Sequence, residues 1–513
     1  MEAHERYAAA LLKLGRYRQA MVELKHVVQA QPTNADVLCA LGNTLFQCGD
    51  TDEALLMAAQ ARDLDPTRSS SYSLIAQIHH VRGELDHAVE ALEAGLARTD
   101  ADGLLGALVH LSHRLCDWKK WASAWGRMKA RVNHSAQLGS PFWLLFEPTS
   151  AEQQLSYTQR WVAQQYPTSP TVPPRPSRSR ERIRIGYYSG DFHNHPMTAL
   201  MAEVFELHDR SRFEVYAYSY GPDDHSTLRE RVKQGIEHFV DVAWDPDDIV
   251  EKRIRADELA ILIDLKGYTA GDRLSVMARR PCAIQIEWLG YPGPIGAPFI
   301  DYEIVDGIIA PPGEEHLFST RVLRMPHCYQ ANDRQRVTAP TRARSEYGLP
   351  EDAFVFCCFN QSVKITPEVY ARWMKLLLRV PNSVLWLPED NRWATANLHA
   401  AAEASDVAKS RIIIAQRMPL PEHLARYRAA DLALDTFPYT SHTTGSDALW
   451  HGCPLVGLHG DTFAARVSAS LLINCGMPEL VTRSLDEYEA LAFRLATDED
   501  YMGDVKARLN AAR

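Results

Sequence analysis

The chain has 513 residues, too many for a single hydrophobic core, and its length leads one to expect about three domains. With 46% hydrophobic and 23% charged residues the composition is that of an ordinary globular protein, and a formal net charge of −10 argues against nucleic acid as the main ligand. No apolar run approaches the roughly 20 residues needed to span a bilayer, and nine dispersed cysteines without CxxC spacing argue against zinc and disulfides, so a cytoplasmic protein is expected.

The chain opens on MEAHERYAAALLKLGRYRQA, amphipathic and polar and without the apolar core of a secretion signal. Gly15, Gly49 and Gly83 follow one another at steps of 34 residues, as do Ala20, Ala54 and Ala88, and Ala8, Gly42 and Ala76. Pro32 and Pro66 keep the step, with Asp100 in the proline's place in the last unit. A 34-residue period with small residues where paired helices touch predicts three tetratricopeptide repeats (TPRs) over residues 1–100. Such an array offers a groove for acceptor proteins or peptides, or serves as a rigid spacer. Residues 101–167 stay helical without the period, as a capping or docking segment. The Pro, Ser and Arg of TSPTVPPRPSRSRE (168–181) read as a linker.

From residue 182 the pattern alternates strand and helix. RIRIGYYS, FEVYAYSY, AILIDLKG and AIQIEWLG are β-rich runs within 182–329. A polar stretch at 330–348 interrupts the alternation, and FVFCCF, SVLWLP, RIIIA, DLALD and PLVGL resume it within 349–513. Two βαβ blocks predict two Rossmann-like lobes of mostly parallel sheet, with ligands at the carboxyl ends of the strands. Neither block carries GxGxxG after its first strand, nor is there a GxxxxGK[ST] loop. His442-Thr443-Thr444-Gly445 falls between the strand DLALD and a helix, where unpaired N–H groups attract an anion; a plain helix cap by Thr443 or Thr444 is the alternative. Asp245-Pro246-Asp247 has the DxD form of metal-dependent transferases, but it precedes a helix and reads as capping.

Long motifs in order carry a resemblance: GYYSGDFHNHP (186–196), LKGYTAGDR (265–273), IQIEWLGYPGPIGAPFIDY (284–302), YGLPEDAFVFCCFNQSVKI (347–365), RVPNSVLWL (379–387) and SHTTGSDALWHGCPLV (441–456). With TPRs ahead of them, the chain resembles the O-linked N-acetylglucosamine (O-GlcNAc) transferases in their bacterial form. The resemblance implies a GT-B architecture, inverting transfer of N-acetylglucosamine from UDP-GlcNAc to protein Ser or Thr hydroxyls, and no metal or other cofactor. It implies that Lys364 and the Thr443–Thr444 turn hold the UDP diphosphate, with His442 beside them and Asp447 on the ribose. Gln361, Met418, His423 and Arg426 are then nucleotide-side residues, His423 packing on the uracil. Tyr291, Pro292, Gly293 and Gly296 would form a backbone loop next to the sugar. His195 stands where a general base or an orienting residue is expected, and Asp257 where a second acid is considered for proton removal.

Three positions depart from the family pattern: Ala260, Val363 and Leu420 replace a histidine, a tyrosine and a lysine. These leave fold and phosphate chemistry intact and open the question of donor and acceptor. GDP-fucose or an asparagine acceptor is the enzymatic alternative, and a TPR scaffold with catalytically weak nucleotide-binding lobes is the other.

Overall fold

Eight helices open the chain: α1 (Glu2–Lys13), α2 (Tyr17–Ala30), α3 (Ala35–Gln47), α4 (Thr51–Leu64), α5 (Ser69–Val81), α6 (Leu85–Leu96), α7 (Asp102–Arg114) and α8 (Trp118–Met128). The computed structural model describes residues 2–166 and 181–512, so the expected linker, apart from Glu181, lies outside the described residues. The 34-residue columns have direct physical counterparts. Gly15, Gly49 and Gly83 stand at φ of 71°, 89° and 76°, the left-handed conformation that turns one helix of a pair into the next. Ala20, Ala54 and Ala88 are fully buried between helices, where a larger side chain would force the pair apart. Caps mark the helix starts: the Asn34 side chain accepts from the N–H groups of Asp36 and Val37, and Asp50 from Glu53.

The chain divides into two compact units. The first comprises Met1–Ser112, Lys119–Ser140 and Trp244–Asp257; the second comprises His113–Trp118, Pro141–Ala243 and Glu258–Arg513. The helical segment expected over 101–167 is thus shared, since the stretch carrying α9 (Pro141–Leu144) and α10 (Ala151–Gln165) belongs to the second unit.

In the second unit the first sheet is built from β1 (Ile183–Ser189), β2 (Phe213–Ser219), β3 (His238–Asp241), β4 (Ile261–Asp264), β5 (Ile284–Glu287), β6 (Tyr302–Asp306) and β7 (Arg321–Met325). Its order is β3-β2-β1-β4-β5-β6-β7, parallel throughout. Helices α11 (Pro196–Glu206), α12 (Thr227–Gly235), α13 (Asp247–Ala256) and α14 (Leu274–Ala278) fall between its strands, α13 clustering with the first unit. The second sheet holds β8 (Phe354–Cys357), β9 (Ser383–Pro388), β10 (Ile412–Ala415), β11 (Leu432–Leu434), β12 (Leu455–Leu458) and β13 (Val481–Thr482), in the order β10-β9-β8-β11-β12-β13. Between and after them come α15 (Pro367–Arg379), α16 (Arg392–Glu403), α17 (Leu420–Ala425), α18 (Thr443–Trp450), α19 (Phe463–Asn474), α20 (Leu485–Thr497) and α21 (Glu499–Ala512). Strands such as Leu455–Leu458 are buried along their length, which is why they read as continuous apolar runs and not as alternating ones. Two parallel Rossmann-like sheets form a GT-B pair, and α19 ties them: Ser470 donates to Asp306 at 2.6 Å and Arg466 pairs with Glu314 at 2.6 Å.

The sequence DPD does not cap a helix by its side chains. Pro246 occupies the N-cap of α13 with no side-chain hydrogen bond, and Asp245 is ion-paired with Arg253; the neighbouring Asp248, outside the motif, pairs with Arg16 at 2.9 Å.

A Cβ on Gly106 would sit 1.7 Å from the Leu138 carbonyl oxygen, whereas one on Gly126 would meet open space. Gly106→Ala should therefore destabilise the helical unit by about 3 kcal/mol, the upper range for overpacking. Gly126→Ala, mid-helix, should be neutral or stabilise it by up to about 1 kcal/mol. Scanning calorimetry of the two variants checks this, and indistinguishable transitions would refute it.

Candidate functional site

The second sheet changes direction between β8 and β11: the chain runs outward to β9 and β10 on one side and to β12 and β13 on the other. Loops leaving β8 and β11 therefore diverge, and the crevice at their carboxyl ends is where open parallel sheets take ligands. The loop after β8 carries Asn360, Gln361 and Lys364; the loop after β11 carries Asp435 to His442 and delivers the chain into α18. Buried Asp435 closes that second loop on itself, its Oδ1 accepting from the N–H groups of Thr436 (2.9 Å) and Ser441 (2.6 Å). Asn360 bridges the two loops. Its amide donates to Thr436 Oγ1 at 3.0 Å and Ser441 Oγ at 2.7 Å, and its carbonyl accepts from Thr444 Oγ1 at 2.5 Å.

Helix α18 begins at Thr443, so Thr443, Thr444 and Gly445 are its first three residues, and the N-cap position, His442, makes no side-chain cap. Neither threonine caps the helix; Thr444 has turned its hydroxyl to Asn360. The first-turn N–H groups remain available to an anion. Lys364 stands beside them. Its Nζ donates to the Thr440 carbonyl at 3.1 Å and lies 3.9 Å from the centroid of the Tyr439 ring. Burial pulls its ammonium down to about 7, partly offset by the negative charge of Asp435. His442 stacks on Tyr439 at 4.6 Å and its Nε2 reaches the Ala464 carbonyl at 3.3 Å. Burial and the nearby Lys364 keep its imidazole neutral. The turn thus sets the Lys364 ammonium beside the start of α18, whose N-cap residue makes no side-chain cap.

Along the same lobe, His423 on α17 packs edge-on against Phe359 (5.6 Å) and Tyr427 (5.5 Å), and burial lowers it to about 3, leaving a neutral flat ring. Arg426 is buried, its guanidinium 4.0 Å over Phe359 and donating to the Gln416 carbonyl at 3.0 Å. Arg426 therefore braces the wall of this pocket. Met418 is half-buried two residues before α17, and Gln361 is exposed on the loop after β8. Asp447 is buried and ion-paired with Arg336, a residue of the 330–348 stretch; burial raises the carboxyl to about 6 against the pull of that guanidinium. The stretch is strapped onto the second lobe, with Thr338 on His451 (3.0 Å) and the Ala339 N–H on the Pro421 carbonyl (3.0 Å).

In the first lobe His195 is the N-cap of α11, its Nδ1 accepting from the Met197 N–H at 3.2 Å. Burial pulls the imidazole to about 4, against the opposing charge of Asp191 at 3.7 Å. The neutral ring then carries its proton on Nε2, making it a donor there. Asp191 itself is held by Lys266 at 2.6 Å, both buried. Register sets Asp264 beside Glu287 at the ends of β4 and β5; burial raises both, and the Asp264 charge raises Glu287 further while the hydrogen bond from Glu287 lowers Asp264, so the pair retains a proton on the Glu287 side. Tyr291 and Pro292 are buried, and the glycines beyond them serve packing: a Cβ on Gly293 would come within 2.9 Å of Leu145, and one on Gly296 within 2.8 Å of Thr158. Asp257 is the C-cap of α13 and belongs to the helical unit.

Residues 165–341 and 335–513 match the model of glycosyl transferase family 41, and residues 11–78 match a tetratricopeptide repeat model. The chain belongs to glycosyl transferase family 41. It is 39% identical over 340 residues to the probable UDP-N-acetylglucosamine–peptide N-acetylglucosaminyltransferase SEC of Arabidopsis thaliana, covering 65% of this chain and 35% of that one. It is 29% identical over 446 residues to the Caenorhabditis elegans enzyme named for the same activity, covering 65% and 39%. With the Arabidopsis relative named SPINDLY it shares 31% over 344 residues, 64% and 36% of the two chains. The chain spans little more than a third of the length of these curated relatives. A solved structure of a lysine-to-methionine variant of the Thermobaculum terrenum O-GlcNAc transferase superposes with a TM-score of 0.71 at 28% identity, over 100% of this chain and 92% of that one. Among the described residues, no helix is long and apolar enough to cross a membrane.

In this family 41 chain, motif reading reached Lys364, His442, Thr443, Thr444 and Asp447, and the fold gathers them around one turn. It missed Asn360, Tyr439 and Arg336. Asn360 lies inside the FNQSVKI motif and Tyr439 three residues before HTTG, so proximity was a usable signal; Arg336, one of several arginines in a polar stretch, had none.

A lysine at about 7 must gain a proton whenever an anion binds above that pH. Pyrophosphate binding to the native chain is expected to take up close to one proton more at about pH 8.5 than in Lys364→Met, and no excess at about pH 6, where the ammonium is already formed. Calorimetry in buffers of different ionisation enthalpy measures the difference; equal uptake at the higher pH would remove Lys364 from the anion site.

Proposed function

We propose that the chain is an inverting, metal-independent glycosyltransferase that moves N-acetylglucosamine from UDP-GlcNAc to Ser or Thr hydroxyls of proteins. The observation carrying this reading is the Lys364–Tyr439–α18 turn, which offers a desolvated cation and uncapped N–H groups to a diphosphate. The names of the Arabidopsis and Caenorhabditis relatives support the donor and the peptide acceptor. In the attack of a hydroxyl on the anomeric carbon, negative charge develops on the departing UDP. Lys364 and the first-turn N–H groups of α18 meet that charge where it appears, so no divalent ion is required.

The remaining assignments follow the same geometry. Asp447 accepts from the ribose hydroxyls, and Arg336 holds its carboxylate in place. The His423 ring and the Met418–Pro421 backbone receive the base, with Gln361 at the rim and Arg426 bracing the wall. In the first lobe, Tyr291, Pro292, Gly293 and Gly296 give the sugar side a rigid floor, packed from behind by Leu145 and Thr158. His195 offers Nε2–H to the sugar or acceptor and is an orienting donor, because its other nitrogen is committed to the Met197 N–H. Asp257 has no assigned part in this chemistry. The repeats present a surface for acceptor proteins.

Turnover of UDP-GlcNAc with an acceptor peptide tests the reading. Lys364→Ala should lower transfer by about two orders of magnitude or more, the scale of losing one key contact to the leaving-group charge. Native transfer should persist in EDTA. Near-normal turnover of a folded Lys364→Ala protein, or activity restored only by Mg²⁺ or Mn²⁺, would refute the respective claims.

His195→Ala should keep UDP affinity within a few-fold while reducing transfer. The native pH–rate profile should carry no inflection from this histidine between about pH 6 and 8, since it titrates near 4. An inflection there that disappears in His195→Ala would make it the base instead.

A further inference from the structure

The turn between α5 and α6, in the helical unit, brings together His79, Glu84 and His87, whose ligand atoms all lie within 4.8 Å of one another. The backbone fixes them. Gly83 takes φ of 76°, its N–H closes on the His80 carbonyl at 3.0 Å, and the Glu84 N–H closes on the His79 carbonyl at 2.9 Å. This double closure sets His79, in the last turn of α5, against Glu84, the N-cap residue of α6. His87 stands three residues further on, on the same face of the first turn of α6. The His79 and His87 ring centroids are 5.3 Å apart, and His79 Nδ1 meets Glu84 Oε2 at 2.6 Å. Arg82, the nearby cation, is turned away onto Asp52 and Thr51 of the preceding helix.

We propose that this turn is a divalent transition-metal site, best suited to Zn²⁺, with His79, Glu84 and His87 as three ligands and a fourth position open to water or a ligand from solution. Two imidazoles and one carboxylate are a donor set that Zn²⁺ prefers, and bonds of about 2.0–2.1 Å place tetrahedral donors about 3.3 Å apart. The present spans bracket that value, from 2.6 Å for the His79–Glu84 pair to at most 4.8 Å. Side-chain rotation suffices to close on an ion: His87 is exposed and free to swing, and the Glu84 carboxylate need only exchange its hydrogen bond to His79 for a metal bond. The ion would clamp the two helices of the third repeat across their turn. It stands outside the catalytic lobes and adds nothing to the leaving-group chemistry.

Full-length chain, stripped with EDTA and dialysed, is titrated with Zn²⁺ by calorimetry and with Co²⁺ by visible absorption. The expected result is one ion bound per chain at micromolar affinity or tighter, with the intense absorption of tetrahedral Co²⁺. Loss of a ligand should weaken binding by at least about tenfold. His87→Ala, which removes only an exposed side chain, shows this without threatening the fold, and Glu84→Gln should weaken it as well. The His4–Glu23 pair with the His26 ring 5.8 Å from that of His4 does not bring three ligand atoms within that span, and His4→Ala should leave the binding unchanged. Equal affinity in His87→Ala, loss confined to His4→Ala, or a weak octahedral Co²⁺ spectrum would each overturn the assignment.

Discussion

The ammonium of Lys364 sits over the Tyr439 ring, against the Thr440 carbonyl, in a place that burial makes unfavourable for a charge. The rest of the second lobe is arranged around that misfit. Asp435 and Asn360 fix the loop that presents the lysine's neighbours, and α18 begins where its unpaired N–H groups add to the same positive potential. A lysine that burial lowers to about 7 would answer an anion bound beside it with both charge and proton. An exposed lysine, already solvated, would gain much less from the same ligand.

The first lobe solves a different problem. Its strand ends carry acids, Asp191, Asp264 and Glu287, in surroundings too dry for several free charges. Lys266 neutralises one, and the other two share a proton. This leaves His195 in a setting where it stays neutral and keeps a fixed tautomer, and a fixed donor suits the orientation of a sugar or hydroxyl better than proton removal. On the proposed transfer, positioning and leaving-group electrostatics would carry the rate, as in an in-line displacement run without a strong base.

The 330–348 stretch reads in sequence as a polar interruption, yet it contributes to the site. Arg336 pairs with Asp447 across two buried side chains, and that pair costs desolvation unless both partners are held. The strapping of Thr338 and Ala339 onto His451 and Pro421 supplies that constraint. A segment joining the lobes thereby also sets the state of the acid expected at the ribose.

Much of this was legible in the sequence alone. A 34-residue period needs no tertiary information, because each repeat meets its neighbour through the same small residues, and Ala20, Ala54 and Ala88 are buried as that logic requires. Strand–helix alternation likewise predicts parallel sheets, since a right-handed crossover is the only ready way to bury both faces. The HTTG turn could be placed because a strand, a short loop and a helix follow one another in the chain. What only the tertiary structure decided are pairings between residues far apart in sequence. Asn360 with Ser441, Lys364 with Tyr439 and Arg336 with Asp447 depend on which strands lie side by side. The packing behind Gly293 and Gly296 was hidden for the same reason: their neighbours, Leu145 and Thr158, come from a helical segment that no local pattern ties to that loop. Periodicity and local turns are short-range consequences of backbone geometry, whereas burial, and with it every shifted charge in this site, is set by the whole fold.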